Sequence, residues 1–272
     1  MTGTASAHRV AAARTFLFVP GDRPDRFAKA AASGADVVVL DLEDAVATAH
    51  KELARSAVVA WLENGHDAVV RVNAAATPWY PDDVAATAGL ALAVMVPKAE
   101  SPADWAAVGT VPVIPLVETA RGLTRLASLL EPDQVVRPAF GSVDLSVELG
   151  VDPDDHQALL YARSTLVAAA AAAGAAAPVD GVTVAVNDAE ALARDVVAAR
   201  RLGFTAKLCI HPTQVGAVHD LLRPTDAEAA WARRVVATAS DGVLTVDGRM
   251  VDAPVLRRAH QVLARLQHAA DT

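Results

Sequence analysis

The segment Pro112-Val-Ile-Pro-Leu-Val-Glu118 is an apolar run that ends in a carboxylate, and Ala139-Phe-Gly-Ser-Val-Asp144 has the same pattern. An unpaired charge is costly to bury, so a carboxylate at the end of a buried strand needs a role other than packing. In a parallel barrel, the carboxyl ends of different strands converge on one cavity. The two carboxylates therefore predict a site for a hard divalent cation, with Mg²⁺ as the expected ion.

Short apolar runs recur along the chain, with helix-like segments between them. Near-continuous apolar strands are typical of a parallel sheet that is covered by helices. Eight alternations of strand and helix within about 200 residues predict an α/β fold of the (β/α)8 TIM barrel type. The predicted strands are Phe16–Pro20, Val37–Leu42, Ala68–Asn73, Ala93–Lys98, Val111–Glu118, Ala139–Asp144, Pro178–Val182 and Ala206–His211.

The pattern also predicts where the barrel begins and ends. Residues 1–14 lack the apolar core of a signal peptide and are predicted to be a disordered tail, and residues 15–224 form the catalytic barrel. Residues 225–272 exceed what a barrel requires and are expected to form a helical extension that packs on a neighbouring subunit. The extension comprises two helices and a hairpin between them, predicted at Asp226–Ala239, Pro254–His268 and Asp241–Val251.

Composition excludes several classes of protein. The chain is 53% hydrophobic and 21% charged, which is typical of a folded domain with a large core. A net charge of −8 argues against nucleic acid as the main partner, and no apolar run is long enough to predict a membrane span. Cys209 is the single cysteine, so no intrachain disulfide can form and a cytoplasmic location is expected. Its apolar neighbours predict a buried side chain rather than a reactive thiol.

Other polar residues lie at the predicted strand ends and are candidates for catalysis. Arg71 is interpreted in two ways, as an ion-pair partner of the acidic residues after the second strand or as a fork that grips a substrate carboxylate. Both interpretations hold together, since a partnered arginine is preorganised. Glu43 and Asp44 either orient water around the metal or only anchor Arg71 or Lys98. Asp41 is the remaining acidic residue of this group.

Residues outside this group have simpler interpretations. His211 has a side chain suited to proton transfer, but its place between a strand and a helix favours a structural role. Asp252 precedes a helix that begins at Pro254, so an N-cap is the simplest explanation. Three basic residues near the first barrel loop are candidates for phosphate binding, with a solvated helix face as the alternative. They are Arg23, Arg26 and Lys29.

Seven short motifs follow one another along the chain. They are Val19-Pro-Gly-Asp-Arg-Pro24, Leu40-Asp-Leu-Glu-Asp-Ala-Val46, Arg71-Val-Asn73, Glu118-Thr-Ala-Arg-Gly122, Phe140-Gly-Ser-Val-Asp-Leu145, Cys209-Ile-His-Pro212 and Gly248-Arg-Met-Val-Asp-Ala-Pro-Val255. In this order they resemble the citrate lyase β-subunit family of the HpcH/HpaI aldolase superfamily. Each motif alone is weak, but the series covers nearly the whole chain and is specific to the family.

The resemblance implies a Mg²⁺-dependent CoA ester lyase that cleaves a β-hydroxyacyl-CoA thioester, such as malyl-, citramalyl- or citryl-CoA, into an oxo acid and an acyl-CoA. It implies that Glu118 and Asp144 bind the metal and that Arg71 and Glu118 contact substrate. Asp252 matches an aspartate that acts as an acid or base from a neighbouring subunit in related lyases, so a homotrimer or hexamer is expected. Val143 stands where many relatives carry glutamate, which bears on substrate identity.

Two other functions are consistent with the same residues. One is a metal-dependent aldolase that acts on free 2-oxo acids without CoA. The other is a non-catalytic subunit or small-molecule binding protein that keeps the barrel. Retention of Arg71, Glu118 and Asp144 argues against the second of these.

Overall fold

Eight parallel strands close into a barrel, which confirms the predicted fold class. The computed structural model describes residues 3–240, 245–246 and 248–270. Each strand pairs with its neighbours in chain order, and the last strand returns to pair with the first. The barrel strands are β1 Thr15–Pro20, β2 Val37–Asp41, β3 Val69–Arg71, β4 Ala93–Val96, β5 Val113–Val117, β6 Ala139–Phe140, β7 Val179–Asp180 and β8 Ala206–Cys209.

Helices follow the strands along the chain and bury residues at helical spacing. The longest of those before the fifth strand buries Lys51, Ala54, Val58 and Leu62, three or four positions apart. Short 3-10 helices lie at Pro24–Arg26, Thr48–His50 and Pro102–Val108. The α-helices are α1 Gly3–Ala12, α2 Phe27–Ala31, α3 Lys51–Glu63, α4 Tyr80–Thr87, α5 Ala120–Thr124, α6 Leu126–Leu129, α7 Ser142–Leu149, α8 Leu160–Ala172, α9 Ala189–Leu202, α10 Pro212–Leu222, α11 Asp226–Ser240 and α12 Ala253–Ala270.

The twofold repeat of the strands decides which side chains reach the mouth of the barrel. Successive side chains of a strand point to opposite faces, so every second residue lies on the same face. On β2, Val37 and Val39 belong to the core of the barrel, and the next residue on that face is Asp41. The same count leads from Leu116 of β5 to Glu118. Apolar residues therefore fill the barrel, and polar residues end the same rows.

The sixth strand is shorter than the sequence predicts. The predicted strand Ala139–Asp144 ends at Phe140, and the chain turns at Gly141 into α7. Asp144 therefore lies in the first turn of a helix and not at a strand end, so that expectation was wrong. A carboxylate in this position is favoured by the positive end of the helix dipole. Asp144 still lines the cavity at the barrel mouth.

The N-terminal segment is also different from the expected disordered tail, because α1 spans Gly3–Ala12. Val10 of this helix is fully buried. The guanidinium of Arg137, itself fully buried, donates hydrogen bonds to the carbonyl oxygens of Val10, Ala11 and Ala13 at 3.3, 3.1 and 2.7 Å. A cation at these free carbonyls caps the helix, and this distant partner could not be identified from residues 1–14 alone.

The chain divides into two compact units between His219 and Asp220. In the second unit, α11 and α12 share a small core with Val246 and Val251, which confirms the two predicted C-terminal helices. Strands β9 Thr245–Val246 and β10 Arg249–Met250 form an antiparallel pair, which confirms the predicted hairpin where it is described. Residues 241–244 and 247 of that hairpin lie outside the described residues. No helix of the described chain is both long and apolar enough to span a membrane.

Candidate active site

A cavity of about 280 Å³ lies at the carboxyl ends of the barrel strands. Its wall contains both charged and apolar side chains. The charged residues of its lining are Asp41, Asp44, Arg71, Glu118 and Asp144. The large apolar residues are Phe18, Leu116, Phe140, Val182, Leu208 and Ile210. The structure thus brings together in one cavity the acidic pair and the arginine that the sequence singled out.

Glu118 is a buried carboxyl group directly after β5, with 2% of the residue exposed. The backbone N–H of Lys98 donates to its Oε1 at 2.8 Å. Burial, together with the nearby carboxylates of Glu43 and Asp144, raises the pKa of Glu118 to about 8. A carboxyl group held in this way either keeps its proton or gains a cation. The surroundings of Glu118 therefore fit a divalent ion.

Glycine at position 141 is necessary for this arrangement. A Cβ atom at Gly141 would lie only 2.5 Å from Oε2 of Glu118, which is well inside van der Waals contact. Gly141 is also the residue at which the chain leaves β6 and enters α7, the helix that carries Asp144. The two candidate metal ligands thus approach each other across a residue without a side chain. Asp144 itself is exposed on the first turn of α7.

Arg71 is held by two acidic residues at the carboxyl end of β2. Its Nε and Nη2 donate to the two carboxylate oxygens of Asp41 at 2.7 and 2.6 Å, and its Nη1 lies 3.2 Å from Oε2 of Glu43. Phe18 covers the guanidinium, with 4.8 Å between Cζ and the ring centroid. Burial disfavours the charge, but Asp41 outweighs it and raises the pKa of Arg71 above its usual value. The ion-pair interpretation is confirmed, and the same contacts fix the guanidinium at the cavity.

Glu43 and Asp44 have different surroundings. Glu43 is buried, and its Oε1 accepts a hydrogen bond from Nζ of Lys98 at 2.5 Å. Burial raises the pKa of Glu43, and Arg71 and Lys98 oppose that rise. Asp44 is exposed, and Nζ of Lys98 lies 3.9 Å from its Oδ2. The prediction that these residues anchor Arg71 or Lys98 is therefore confirmed for Glu43.

The sequence predicted Lys98 only as an anchor partner of Glu43 or Asp44 at the end of the fourth strand, and did not predict it as a contact of Glu118. It contacts Glu118 through its backbone and Glu43 through its ammonium group. Its backbone φ of 50° makes it the single non-glycine residue with a positive φ in the described part of the chain. A pattern of hydrophobicity carries no information on such a backbone angle, so no sequence signal was present for this feature.

Asp252 and His211 have the structural contacts that their sequence positions predict. The backbone N–H of Val255 donates to Oδ1 of Asp252 at 3.0 Å, which is an N-cap of α12. Asp252 belongs to the second unit of the chain, and its side chain is exposed. Nδ1 of His211 is hydrogen-bonded to Oγ1 of Thr213 at 2.8 Å, at the start of α10. Cys209 is buried as predicted, and burial raises the pKa of its thiol to about 12.

A second cavity, of about 480 Å³, adjoins the first and contains basic side chains. Phe18 and Ile210 belong to the walls of both cavities. Arg26, Lys29 and His211 line the second, beside Val19 and Pro20 of β1. Two of the three basic residues that the sequence suggested for phosphate binding therefore face this cavity. The third, Arg23, is instead paired with Asp25 at 2.9 Å.

The candidate metal ligands, Glu118 and Asp144, form a pair rather than a complete set of protein ligands. Among the residues that the structure describes, no cluster of three His, Cys, Asp or Glu side chains has metal-binding geometry. Mg²⁺ is commonly held by one or two carboxylates, with its other positions taken by water and substrate. Glu118 and Asp144 supply hard oxygen atoms of this kind, so the residues present fit Mg²⁺.

Comparison with known proteins places this geometry in a family. Residues 14–212 match the family model described as HpcH/HpaI aldolase/citrate lyase, and residues 163–268 match a model for a C-C bond lyase of the TIM-barrel fold. The chain is 41% identical over 268 residues to a citrate lyase subunit beta-like protein of Mycobacterium tuberculosis, which covers 95% of this chain and 97% of that protein. It is 34% identical over 279 residues to a (3S)-malyl-CoA thioesterase of Cereibacter sphaeroides, with 97% and 98% covered.

A solved structure shows the same similarity in three dimensions. It is the CitE protein of Mycobacterium tuberculosis in complex with magnesium, acetoacetate and coenzyme A. The TM-score is 0.84 at 39% sequence identity, and the alignment covers 94% of this chain and 99% of that chain.

Proposed function

This chain belongs to the HpcH/HpaI aldolase/citrate lyase family, and from that premise we propose that it is a Mg²⁺-dependent carbon–carbon lyase. Its proposed substrate is a β-hydroxyacyl-CoA thioester, such as malyl-, citramalyl- or citryl-CoA, and its products are an oxo acid and an acyl-CoA. The observation that carries the proposal is the joint placement of Glu118, Asp144 and Arg71 around one cavity at the barrel mouth. The CitE protein of Mycobacterium tuberculosis, in complex with magnesium, acetoacetate and coenzyme A, supports it.

Glu118 and Asp144 are the proposed ligands of the ion. When bound there, Mg²⁺ supplies Lewis acidity toward the oxygen atoms of the hydroxy-acid end of the substrate. Glu118 is aimed by the backbone N–H of Lys98 and confined by the chain at Gly141, so its oxygens are fixed before any ligand arrives. Glu43 and Asp44 are further acceptors at the same rim.

Arg71 is the proposed partner of negative charge on the substrate. Asp41 accepts two of its hydrogen bonds, which fixes the plane of the guanidinium and leaves little conformational entropy to lose on binding. In the proposed cleavage, a base removes the hydroxyl proton and the Cα–Cβ bond breaks with its electrons moving to the thioester side. The carbonyl of the oxo acid forms at the same time, and an acid then protonates the thioester enolate to give the acyl-CoA. Arg71 stabilises the negative charge on the oxo-acid side.

The adjoining basic cavity is the proposed site of the nucleotide part of CoA. Arg26, Lys29 and His211 supply positive or neutral donors beside apolar residues of β1, a combination that suits phosphate groups and an aliphatic chain. The shared residues Phe18 and Ile210 connect this cavity to the one that holds the acidic pair. A thioester could therefore extend from one cavity into the other. A basic cavity that shares this wall favours a CoA ester over a free 2-oxo acid.

Asp252 is the proposed acid, delivered by a neighbouring subunit of a homotrimer or hexamer. The exposed carboxylate at the start of α12 is available to another chain. Mixing Arg71→Ala with Asp252→Asn protein tests this arrangement, because each mixed oligomer contains some intact sites if the two residues come from different subunits. Recovery of activity on mixing supports shared sites, and no recovery in verified mixed oligomers contradicts them. The proposed compartment is the cytoplasm, which suits a single buried cysteine.

The function is tested with a panel of malyl-, citramalyl-, citryl- and hydroxymethylglutaryl-CoA, each with Mg²⁺ or with a chelator. We expect release of an oxo acid from at least one thioester with Mg²⁺ and none with the chelator. The same hydroxy acids without CoA provide the control, and their cleavage at an equal rate would favour a free-acid aldolase. Absence of cleavage in the whole panel, together with Mg²⁺-dependent binding of an oxo acid, would favour a binding protein.

A further inference from the structure

Lys98 connects two buried carboxyl groups of the mouth, those of Glu43 and Glu118. We infer that Lys98 is a positioning residue that fixes the direction of Glu118 through its backbone and lowers the affinity of this site for divalent cations through its ammonium group, which adds a positive charge and occupies Oε1 of Glu43. The inference rests on the proposed function, since it takes Glu118 and Asp144 as the metal ligands. It goes further in assigning a role to a residue that makes no direct contact with the ion.

The backbone of Lys98 is strained. A residue with a side chain is disfavoured in a left-handed conformation, and such strain persists only where the surroundings hold it. Lys98, at φ 50°, is in this region directly after β4. In this conformation its N–H points at Oε1 of Glu118, at 2.8 Å. The strained backbone thus has a specific result, which is the fixed direction of one proposed ligand.

The ammonium group of Lys98 lies close to several carboxylates. Its Nζ lies 2.5 Å from Oε1 of Glu43, 3.9 Å from Oδ2 of Asp44 and 4.0 Å from Oε1 of Glu118. The same ammonium group therefore reaches three carboxylates, although 42% of the side chain remains exposed. Oε2 of Glu43 is buried and receives no well-aligned hydrogen bond from the described residues. Without Lys98, Oε1 of Glu43 would lose its hydrogen bond and be open to a divalent ion, while Nη1 of Arg71 would still lie 3.2 Å from Oε2.

Acidic side chains outnumber basic side chains at the mouth. Five carboxyl groups surround the mouth, from Asp41, Glu43, Asp44, Glu118 and Asp144, and two basic side chains oppose them, Arg71 and Lys98. Arg71 is committed to Asp41 and Glu43, so Lys98 is the cation that stands between the proposed ligand Glu118 and the remaining acids. Removal of its charge should favour any divalent ion bound nearby. Even in a water-like dielectric, a unit charge a few ångströms from a divalent ion changes its affinity about tenfold.

The experiment is a calorimetric titration of the full chain with Mg²⁺ in the absence of substrate. We expect Lys98→Met to bind Mg²⁺ about tenfold more tightly than the wild type, since one repulsive charge is lost and Oε1 of Glu43 is released. Lys98→Gly, which adopts a positive φ without strain, should show the same gain. Lys98→Arg keeps the charge and should stay within about twofold of the wild type. Arg194→Met removes a distant exposed cation on α9 and is the matched control, with unchanged affinity.

A double-mutant cycle separates positioning from a structural role. Glu43→Gln should weaken Mg²⁺ binding, and Lys98→Met with Glu43→Gln should return to near the wild-type affinity, because opposite charges are lost together. A residue needed only for folding would lower thermal stability without this gain and its reversal. Unchanged or weaker binding by both Lys98→Met and Lys98→Gly overturns the inference alone. Absence of Mg²⁺ binding by the wild type overturns the proposed metal site, and the inference with it.

Discussion

Substitution of Gly141 by alanine should disable the acidic pair with little damage elsewhere. The added Cβ would lie 2.5 Å from Oε2 of Glu118 and closer still to the Cβ of Glu118, so the whole Glu118 side chain must move by about 1 Å to restore ordinary van der Waals contact. The backbone at Gly141 has φ −89° and ψ 77°, so the clash with Glu118 and not a left-handed conformation is the expected cost. Overpacking of this kind costs about 1–3 kcal/mol of the free energy of unfolding. A displacement of about 1 Å at a catalytic group costs about a hundredfold in rate.

The assay combines thermal unfolding, Mg²⁺ titration and turnover of the best thioester of the panel. Gly141→Ala should fold, lose at least tenfold in Mg²⁺ affinity and lose about a hundredfold in kcat/KM. Gly216→Ala is the matched control, because a Cβ at this exposed position of α10 meets no atom within 4 Å. It should gain about 0.5–1 kcal/mol of stability, as alanine replaces glycine within a helix, and keep full activity. Wild-type metal affinity and turnover in folded Gly141→Ala would refute the reasoning about Glu118.

Three further predictions follow from the same contacts. Arg71→Lys should lower kcat/KM by about a hundredfold with little change in thermal stability, because an ammonium group cannot make the paired hydrogen bonds to Asp41. A near-normal kcat/KM would contradict the role of Arg71. The raised pKa of Glu118 means that the folded chain retains a proton that the unfolded chain releases. The free energy of unfolding of the metal-free protein should therefore fall as the pH rises from about 5 to 8, by at most ~1.4 kcal/mol per pH unit. Denaturant unfolding across this range measures the slope, which Glu118→Gln should reduce; an unchanged slope would contradict the assignment. Arg137→Met should lower the free energy of unfolding by about 3–5 kcal/mol while kcat stays unchanged. The reason is that the carbonyls at the end of α1 lose their hydrogen-bond donor. Unaltered stability in calorimetry would argue against this cap.

Strand positions were predictable because the strands are buried on both faces. In the runs of β2 and β5, consecutive apolar residues lie on both faces of the strand, and only a strand covered on both faces keeps all of them away from water. All residues of both strands are buried. The polar residues at the ends of those runs were also predictable. Alternate residues of a strand lie on the same face, so Glu118 continues the face of Leu116 and reaches the mouth of the barrel. Closure of β8 on β1 then brings His211 beside Arg26 and Lys29, a proximity that separation along the chain obscures.

Other features depend on contacts that a linear sequence does not display. The run Ala139–Asp144 is apolar enough to be a strand throughout, but the turn at Gly141 allows α7 to begin beside the buried Glu118. The N-terminal helix is capped by Arg137, more than a hundred positions away in the chain. Lys98 combines a positive φ with contacts to two carboxyl groups, and its role appears only when the ends of β2, β4 and β5 meet at the barrel mouth. In each case the deciding partner is distant in sequence and close in space.

The most direct test of the account is the stoichiometry of products from the cleaved thioester. A lyase breaks the carbon–carbon bond and leaves the thioester intact, whereas thioester hydrolysis releases free CoA thiol. With Mg²⁺ present, we expect equal amounts of oxo acid and acyl-CoA with no early release of free CoA thiol. In Glu118→Gln, both products should be lost. Release of free thiol without oxo acid, or equal rates in Glu118→Gln and the wild type, would contradict the proposed Mg²⁺-dependent lyase.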